Sequence, residues 1–273
     1  MALLAGCVVQ EQRAVPPGRF YAEFTARIQA LGGYRTERVA ADAPFSNADL
    51  IRNFELVALR EEYDSSEPGF VESQAQTRLT RWEGPLKIKL FGTRATDRTI
   101  IHELGRRLQA LSGRSVSFTN YSESNITVFV LDAEGRSELL AGLAEKTDAQ
   151  DTLYLSEWAT SNLFPCIVTT YRQDKFRPGV ITSAILFVKD ELEGVLRESC
   201  FHEELTQAMG LGNDHPDVRP SMFNDDEEFA FLTEHDEFLM RILYHPALKP
   251  NMSAAEVLPL LPEIIDELRP EEN

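Results

Sequence analysis

The chain moves between two hydrophobic rhythms. Near the N-terminus, Phe20, Phe24, Ile28 and Leu31 recur at helical spacing in "RFYAEFTARIQAL", which predicts a helix stopped by Gly32-Gly33. After a loop through Pro44, Leu50, Phe54 and Val57 share one face of a second predicted helix, with Asn47 as its cap. "YDSSEPG" reads as a surface loop. From there, alternating runs and helical runs take turns. "GPLKIKLFG" alternates as a strand, and "TDRTIIHELGRRLQALSG" predicts a helix with Ile100, Leu104, Leu108 and Leu111 inward and Gly113 past its end. "RSVSFTNY" and "NITVFVLD" read as strands, "EGRSELLAGLAEKT" as a helix or mobile loop, and "CIVTTYR" and "ITSAILFVKD" as two more strands. A long helix over "LEGVLRESCFHEELTQAMG" runs into Gly210. Thr233 caps "EHDEFLMRILYH", where Asp236 completes a capping box and Phe238, Leu239, Ile242 and Leu243 form the buried face. "SAAEVLPLLPEIIDEL" adds an amphipathic helix interrupted by prolines, followed by an acidic tail. This succession implies an α+β domain with a mixed, twisted sheet, preceded by a helical arm.

Composition narrows the partners. The 273 residues are 43% hydrophobic and 26% charged, suited to one sizeable domain with appendages that buries a real core. The formal net charge of −17 repels phosphate backbones and argues against nucleic acid as a partner. No apolar run approaches the roughly 20 residues that span a bilayer. "LLAGC", Leu3 to Cys7, reads as a lipobox, the end of a bacterial lipoprotein signal peptide, with Cys7 as the lipidated residue and an upstream segment expected. The polar, Pro-containing "VVQEQRAVPPGR" that follows suits a tether. Val8 after the cysteine is not the aspartate of inner-membrane retention, so the expected location is the outer membrane, facing the periplasm. With Cys7 taken by lipid, Cys166 and Cys200 are left as a disulfide pair in an oxidising compartment.

Candidate chemistry centres on "EELTQAMGLGND". Zinc peptidases of the metzincin clan carry His-Glu-x-x-His-x-x-Gly-x-x-His, in which two histidines one helical turn apart and a third returned by a glycine turn hold the metal. Set on that ruler, Glu203 stands at the first histidine, Glu204 at the general base, Gln207 at the second histidine, Gly210 at the glycine and Asn213 at the third histidine. "VRPSMFND" then puts Met222 where a Met-turn belongs, and "FLTEHDEFLMRILYHP" resembles the closing helix of such domains. The resemblance implies a metzincin-like domain with degenerate ligand positions. Gln207 and Asn213 offer neutral carbonyl oxygens, weak donors for zinc. The favoured state is therefore a hydrogen-bonded network without a cofactor, with zinc or calcium as the alternatives. His202, His215, His235 and His245 read as packing or surface histidines, and "HELGR" as ordinary helix surface because Arg106 stands at its second ligand position. "GLGND" lacks a dinucleotide loop's third glycine, and "DDEEF" reads as a solvated acidic loop with calcium as its alternative.

The stretches "EELTQAMGLGND", "PSMFND" and "LTEHDEFLMRILYHPALKPNM" together also resemble a bacterial lipoprotein family known as domain of unknown function 2927, over about Asn47 to Met252 and including "NFELVAL" and the paired cysteines. That resemblance implies a periplasm-facing, metallopeptidase-like domain and brings no activity with it. The expected organisation is lipobox and tether at 1–18, helical arm at 19–45, metzincin-like domain at 46–252, and helix with acidic tail at 253–273. The expected work is binding a peptide or cell-envelope protein along a sheet edge at Ala184 to Val188; the alternative is a metal-dependent hydrolase with Glu204 as general base.

The lipobox generates the first prediction. Full-length protein expressed with an upstream signal segment should incorporate a fatty-acid analogue and partition into detergent, and Cys7→Ser should abolish both. Unchanged labelling in that variant removes the anchor.

Overall fold

The computed structural model describes residues 16–63, 71–143, 149–224 and 226–269, with backbone alone at 149–152. Cys7, the tether ahead of Pro16 and Asp225 lie outside them. Helices α1 (Pro17–Ala30) and α2 (Asn47–Ala58) come first. Strand β1 (Leu86–Phe91), helix α3 (Ala95–Ser112) and strands β2 (Val116–Phe118) and β3 (Ile126–Leu131) follow. Helices α4 (Ala133–Leu143) and α5 (Ala149–Thr160) lead into β4 (Cys166–Tyr171) and β5 (Ser183–Lys189). Helices α6 (Gly194–Gln207), α7 (Glu234–Leu243), α8 (Ala254–Val257) and α9 (Leu261–Leu268) complete the fold.

The five strands form one sheet in the order β2-β1-β3-β5-β4, parallel except for β4, which pairs antiparallel to β5 at one edge. The alternation of the central strands builds two cores. Ile126, Val128, Val130, Ala184, Leu186 and Val188 enter the main core with residues of α3 and α6. Phe129, Leu131, Ile185 and Phe187 point the other way, around the fully buried Trp158 of α5. The sheet is thus covered on both faces, as a mostly parallel sheet requires. Tyr21 of α1 is buried and its hydroxyl accepts a hydrogen bond from Lys189 Nζ at the end of β5.

Sequence expectations hold where local signals are strong. Gly113 ends α3 in the left-handed region at φ 66°. Thr233 and Asp236 form the capping box of α7. The prolines break the last helix into α8, one 3-10 turn at Leu258–Leu260, and α9. Ser46, not Asn47, caps α2, because its hydroxyl accepts from Asp49 N while the Asp49 carboxylate takes Ser46 N. Leu31 is 77% exposed, just past the end of α1. The segment expected as helix or loop is helical through Leu143, anchored by a bidentate Arg136–Glu191 pair at 2.7 Å. Helix α5 carries no clear stripe in the sequence, because its apolar residues bury through tertiary contacts. The strand at Ala184 to Val188, expected at the sheet edge, is an inner strand paired on both sides; the edge is β4. The "DDEEF" stretch is not simply solvated either: Glu228 accepts from Arg35 and Arg219, and Phe229 is buried beside a β-bridge to Arg35.

Cys166 and Cys200 are joined, with Cα atoms 5.8 Å apart, so the bridge clamps α6 to β4. In the loop-entropy picture a bridge across 34 residues stabilises by about 4 kcal/mol. Non-reducing peptide mapping should recover both cysteines in one cross-linked fragment, and reduction should lower the denaturant midpoint. Two alkylatable thiols in oxidised protein, or an unmoved midpoint, would contradict the clamp.

Candidate active site at the end of helix α6

Helix α6 is polar where a core helix would be apolar, so its placement is forced by specific bonds. Arg197 makes a bidentate, buried pair with Asp97 of α3, both bonds 2.8 Å. Asp97 also accepts Arg94 N at the start of α3, so one carboxylate serves both helices. Leaving either partner of such a buried pair alone costs about 3–5 kcal/mol. One turn on, Cys200 is tied to β4. At the C-terminal end Trp82 Nε1 donates to Ala208 O at 2.8 Å and Tyr244 Oη donates to Met209 O at 2.9 Å. Gly210 then turns the chain at φ 113°, where a Cβ would sit 2.1 Å from Thr80 O, so only glycine fits.

The turn returns Asn213 towards the helix, and its amide is fully engaged there. Nδ2 donates to Leu56 O at 2.8 Å and Gln74 Oε1 at 3.1 Å, while Oδ1 accepts from Gln74 Nε2 at 3.3 Å. Gln207 Nε2 donates to Asp214 Oδ1 at 3.3 Å. The two amides expected at ligand positions are therefore bonded to Gln74 and Asp214, not to each other. Met222 is buried in the main core and donates its N–H to Asp236 Oδ2 at 3.2 Å. Asp236 also accepts from Ser221 Oγ and from the N–H and hydroxyl of Thr233, so it joins the Met222 turn to the cap of α7.

The three zinc-ligand positions hold one carboxylate and two amides, whose oxygens are weak zinc donors; Asn213 Oδ1 already accepts from Gln74, and no group of three His, Cys, Asp or Glu side chains among the described residues could hold a metal. The histidines are employed elsewhere. His202 is buried, stacks on Phe231 and accepts Leu232 N, and burial pushes its pKa down to about 4. His235 bonds Asn53 and Asp236, His245 bonds Glu267, His215 accepts Asp217 N, and His102 stacks on Phe118.

The last turn of α6 carries adjacent carboxyls into an acidic surrounding. Glu204 is only 4% exposed, and its Oε2 has no hydrogen-bond partner among the described residues. Burial first, then the charges of Glu62 and Asp214, push its pKa well above the carboxylate range. Glu203 is raised in the same direction by burial first, then by Asp214, Glu204, Glu227 and Glu62. Burial and then Glu204 raise the Tyr154 phenol as well, and burial and then Glu62 raise that of Tyr63. A cleft of about 560 Å³ is walled by β4 and Arg172 after it, by Leu139 and Tyr154 of α4 and α5, by Arg60, Glu62 and Tyr63, and by Gln207. No local pattern in the sequence marks Glu62, Tyr63 or Tyr154 as parts of this wall. Tyr63, in a polar stretch that reads as a surface loop, pairs with Glu72 as Arg60 pairs with Gln76.

A raised carboxyl pKa has a definite sign. Its stabilising contribution is complete below the ordinary value of about 4.3 and is lost as pH rises through the folded value. Thermal melts of Glu204→Gln should therefore exceed wild type at pH 8 and show a shallower loss of stability between pH 5 and pH 8. Parallel profiles for the two proteins would mean that Glu204 ionises as freely when folded as when unfolded.

Among curated proteins and among solved structures nothing matches. A family model described as "Protein of unknown function (DUF2927)" matches residues 47–263, from the first residue of α2 into α9. That span is well over half of the chain and contains the sheet, the cleft and the acidic cluster. The chain belongs to this family.

Proposed function

We propose that this protein is a lipid-anchored bacterial cell-envelope protein whose metzincin-like domain binds an extended peptide by adding it to the free edge of β4. The supporting observation is that this edge lies open along the cleft. Lys189 N donates to Pro165 O at 3.2 Å, and an antiparallel ladder bonds alternate residues inward. Ile167, Thr169 and Tyr171 thus face β5, while the backbone groups of Val168 and Thr170 turn outward, where no described residue bonds them. Residues Val168 to Arg172 all line the cleft. An unpaired strand edge at the wall of a cavity is a template for another strand.

The metzincin likeness has support of its own: the Gly210 turn returns Asn213, and the Met222 turn is fixed behind it by Asp236. Binding is favoured over hydrolysis because the amides of Gln207 and Asn213, at two of the three ligand positions, are taken up by Asp214 and Gln74. The cell-envelope location rests on the lipobox and agrees with the disulfide, which belongs to oxidising compartments.

Thr170→Pro tests the binding mode. Proline at an outward-facing edge position removes a donor to the incoming strand and leaves the β5 ladder intact. Peptides selected from a displayed random library on the wild-type protein should bind the variant about tenfold more weakly or worse, at an unchanged melting temperature. Equal affinity for both proteins rules out addition at β4.

A further inference from the structure

Strand addition uses backbone groups and leaves open which side chains the cleft accepts. The cleft reaches past the edge of β4 onto the sheet face that α4 and α5 cover. Its wall there is the rim of the second core. Phe129, Ile185 and Phe187 belong to β3 and β5, and Leu139 and Leu155 to α4 and α5. Phe187 is buried, but the other four are only partly covered. An apolar wall left half open in a concavity of about 560 Å³ has the character of a ligand site, which spans roughly 300–1,000 Å³.

The register of β4 decides which peptide residue meets this wall. Ile167 belongs to the second core. Thr169, two residues on, pairs with Ile185 and shares a side-chain hydrogen bond with Tyr154 of α5. Thr169 therefore points to the α5 face, while Val168 packs on the main core behind the sheet. Directly opposed residues of neighbouring strands put their side chains on the same face. A peptide residue opposite Thr169 thus extends over the half-open apolar wall. Its neighbours, opposite Val168 and Thr170, turn to the other side, where the cleft is lined by Gln207 and Gly210 at the end of α6 and by Thr80 beside Gly210.

Charge adds a second requirement. Among the described residues Arg60, Glu61, Glu62 and Arg172 are the charged ones that line the cleft. Arg60 donates to Glu55 and to Gln74 O, Glu61 accepts from Ser73, and Glu62 is engaged as well. Arg172, which follows β4 directly, is exposed and has neither an ion pair nor a side-chain hydrogen bond among the described residues. The uncompensated charge of the cleft is therefore positive, and it lies three residues beyond Thr169. It is complementary to a carboxylate at that distance along the peptide.

We infer that the cleft selects a peptide strand carrying a large apolar side chain opposite Thr169, seated between the sheet and helices α4 and α5, and a carboxylate three residues away at Arg172. This rests on strand addition for the peptide's path, whereas the apolar wall and Arg172 do not depend on it.

The test uses the full chain and three blocked threonine peptides of about nine residues. The first has a central phenylalanine and an aspartate three residues to either side, so that both strand directions are served. The second has alanine at the centre, and the third has asparagine for both aspartates. The first should bind about tenfold tighter than the second and, at low salt, about threefold tighter than the third. Leu139→Gln should shrink the preference for phenylalanine, and Arg172→Gln should shrink only the preference for aspartate. Thr170→Pro should weaken all three peptides and preserve both preferences. If the phenylalanine and alanine peptides bind equally and Thr170→Pro weakens both, strand addition stands and the apolar seat is overturned. If Leu139→Gln removes a preference for phenylalanine while Thr170→Pro weakens nothing, the seat stands and strand addition fails. Equal binding of the aspartate and asparagine peptides overturns the part assigned to Arg172. Laurate that raises the melting temperature while no peptide binds gives the cleft to a free amphiphile and overturns the peptide seat, and no response to any probe overturns it as well.

Discussion

Helix α6 cannot turn about its axis without breaking bonds at three levels, and the candidate site depends on that restraint. Arg197 holds its first half to α3, Cys200 holds its middle to β4, and the carbonyls of Ala208 and Met209 hold its end to Trp82 and Tyr244. A helix rotates about 100° per residue, so a slip of one position would carry Glu204 away from Glu62 and Asp214. Three different kinds of bond act together here: a buried ion pair, a covalent bridge and hydrogen bonds to the helix end.

Such restraint is required because the end of α6 is electrostatically unfavourable. Two adjacent glutamates with Asp214, Glu62 and Glu227 nearby repel one another, and burial strengthens the repulsion by removing water. A loosely held helix would relieve this by moving its carboxyls into solvent. The fold instead keeps them in place, and their pKa values are raised as a result. Perturbed carboxyls coupled to a residue of a cavity wall, here Glu62, are the kind of arrangement that accompanies function.

The second restraint is Asp236. One buried carboxylate accepts from Ser221, Met222 and Thr233 and so determines both where α7 begins and how the Met222 turn lies. Hydrogen bonds to a buried charged group contribute about 1.5–3 kcal/mol each, which suits a residue that organises a long irregular connection. The amides at Gln207 and Asn213 follow the same logic on a smaller scale: Asp214 and Gln74 satisfy them.

Features with a local cause were legible in the chain. Helical spacing in α1, α2 and α3, alternation in β1, β3 and β5, the Thr233–Asp236 cap and the Gly113 stop all follow from backbone geometry within a few residues. The spacing of Glu203, Glu204, Gln207, Gly210 and Asn213 was also visible, as was the pairing of the two remaining cysteines. What stayed hidden depends on distant pairing. Helix α5 is stabilised by burying Trp158 against Phe187, not by its own pattern. An inner and an edge strand can share one local pattern, so Ser183–Lys189 did not reveal that β4 lies outside it. Glu62 reaches Glu204 across more than a hundred residues. By itself the sequence determined which residues could form each element and which chemistry α6 carries; only the tertiary structure decided which strand edge is open and which acids meet, because both are set by long-range packing that leaves no local period.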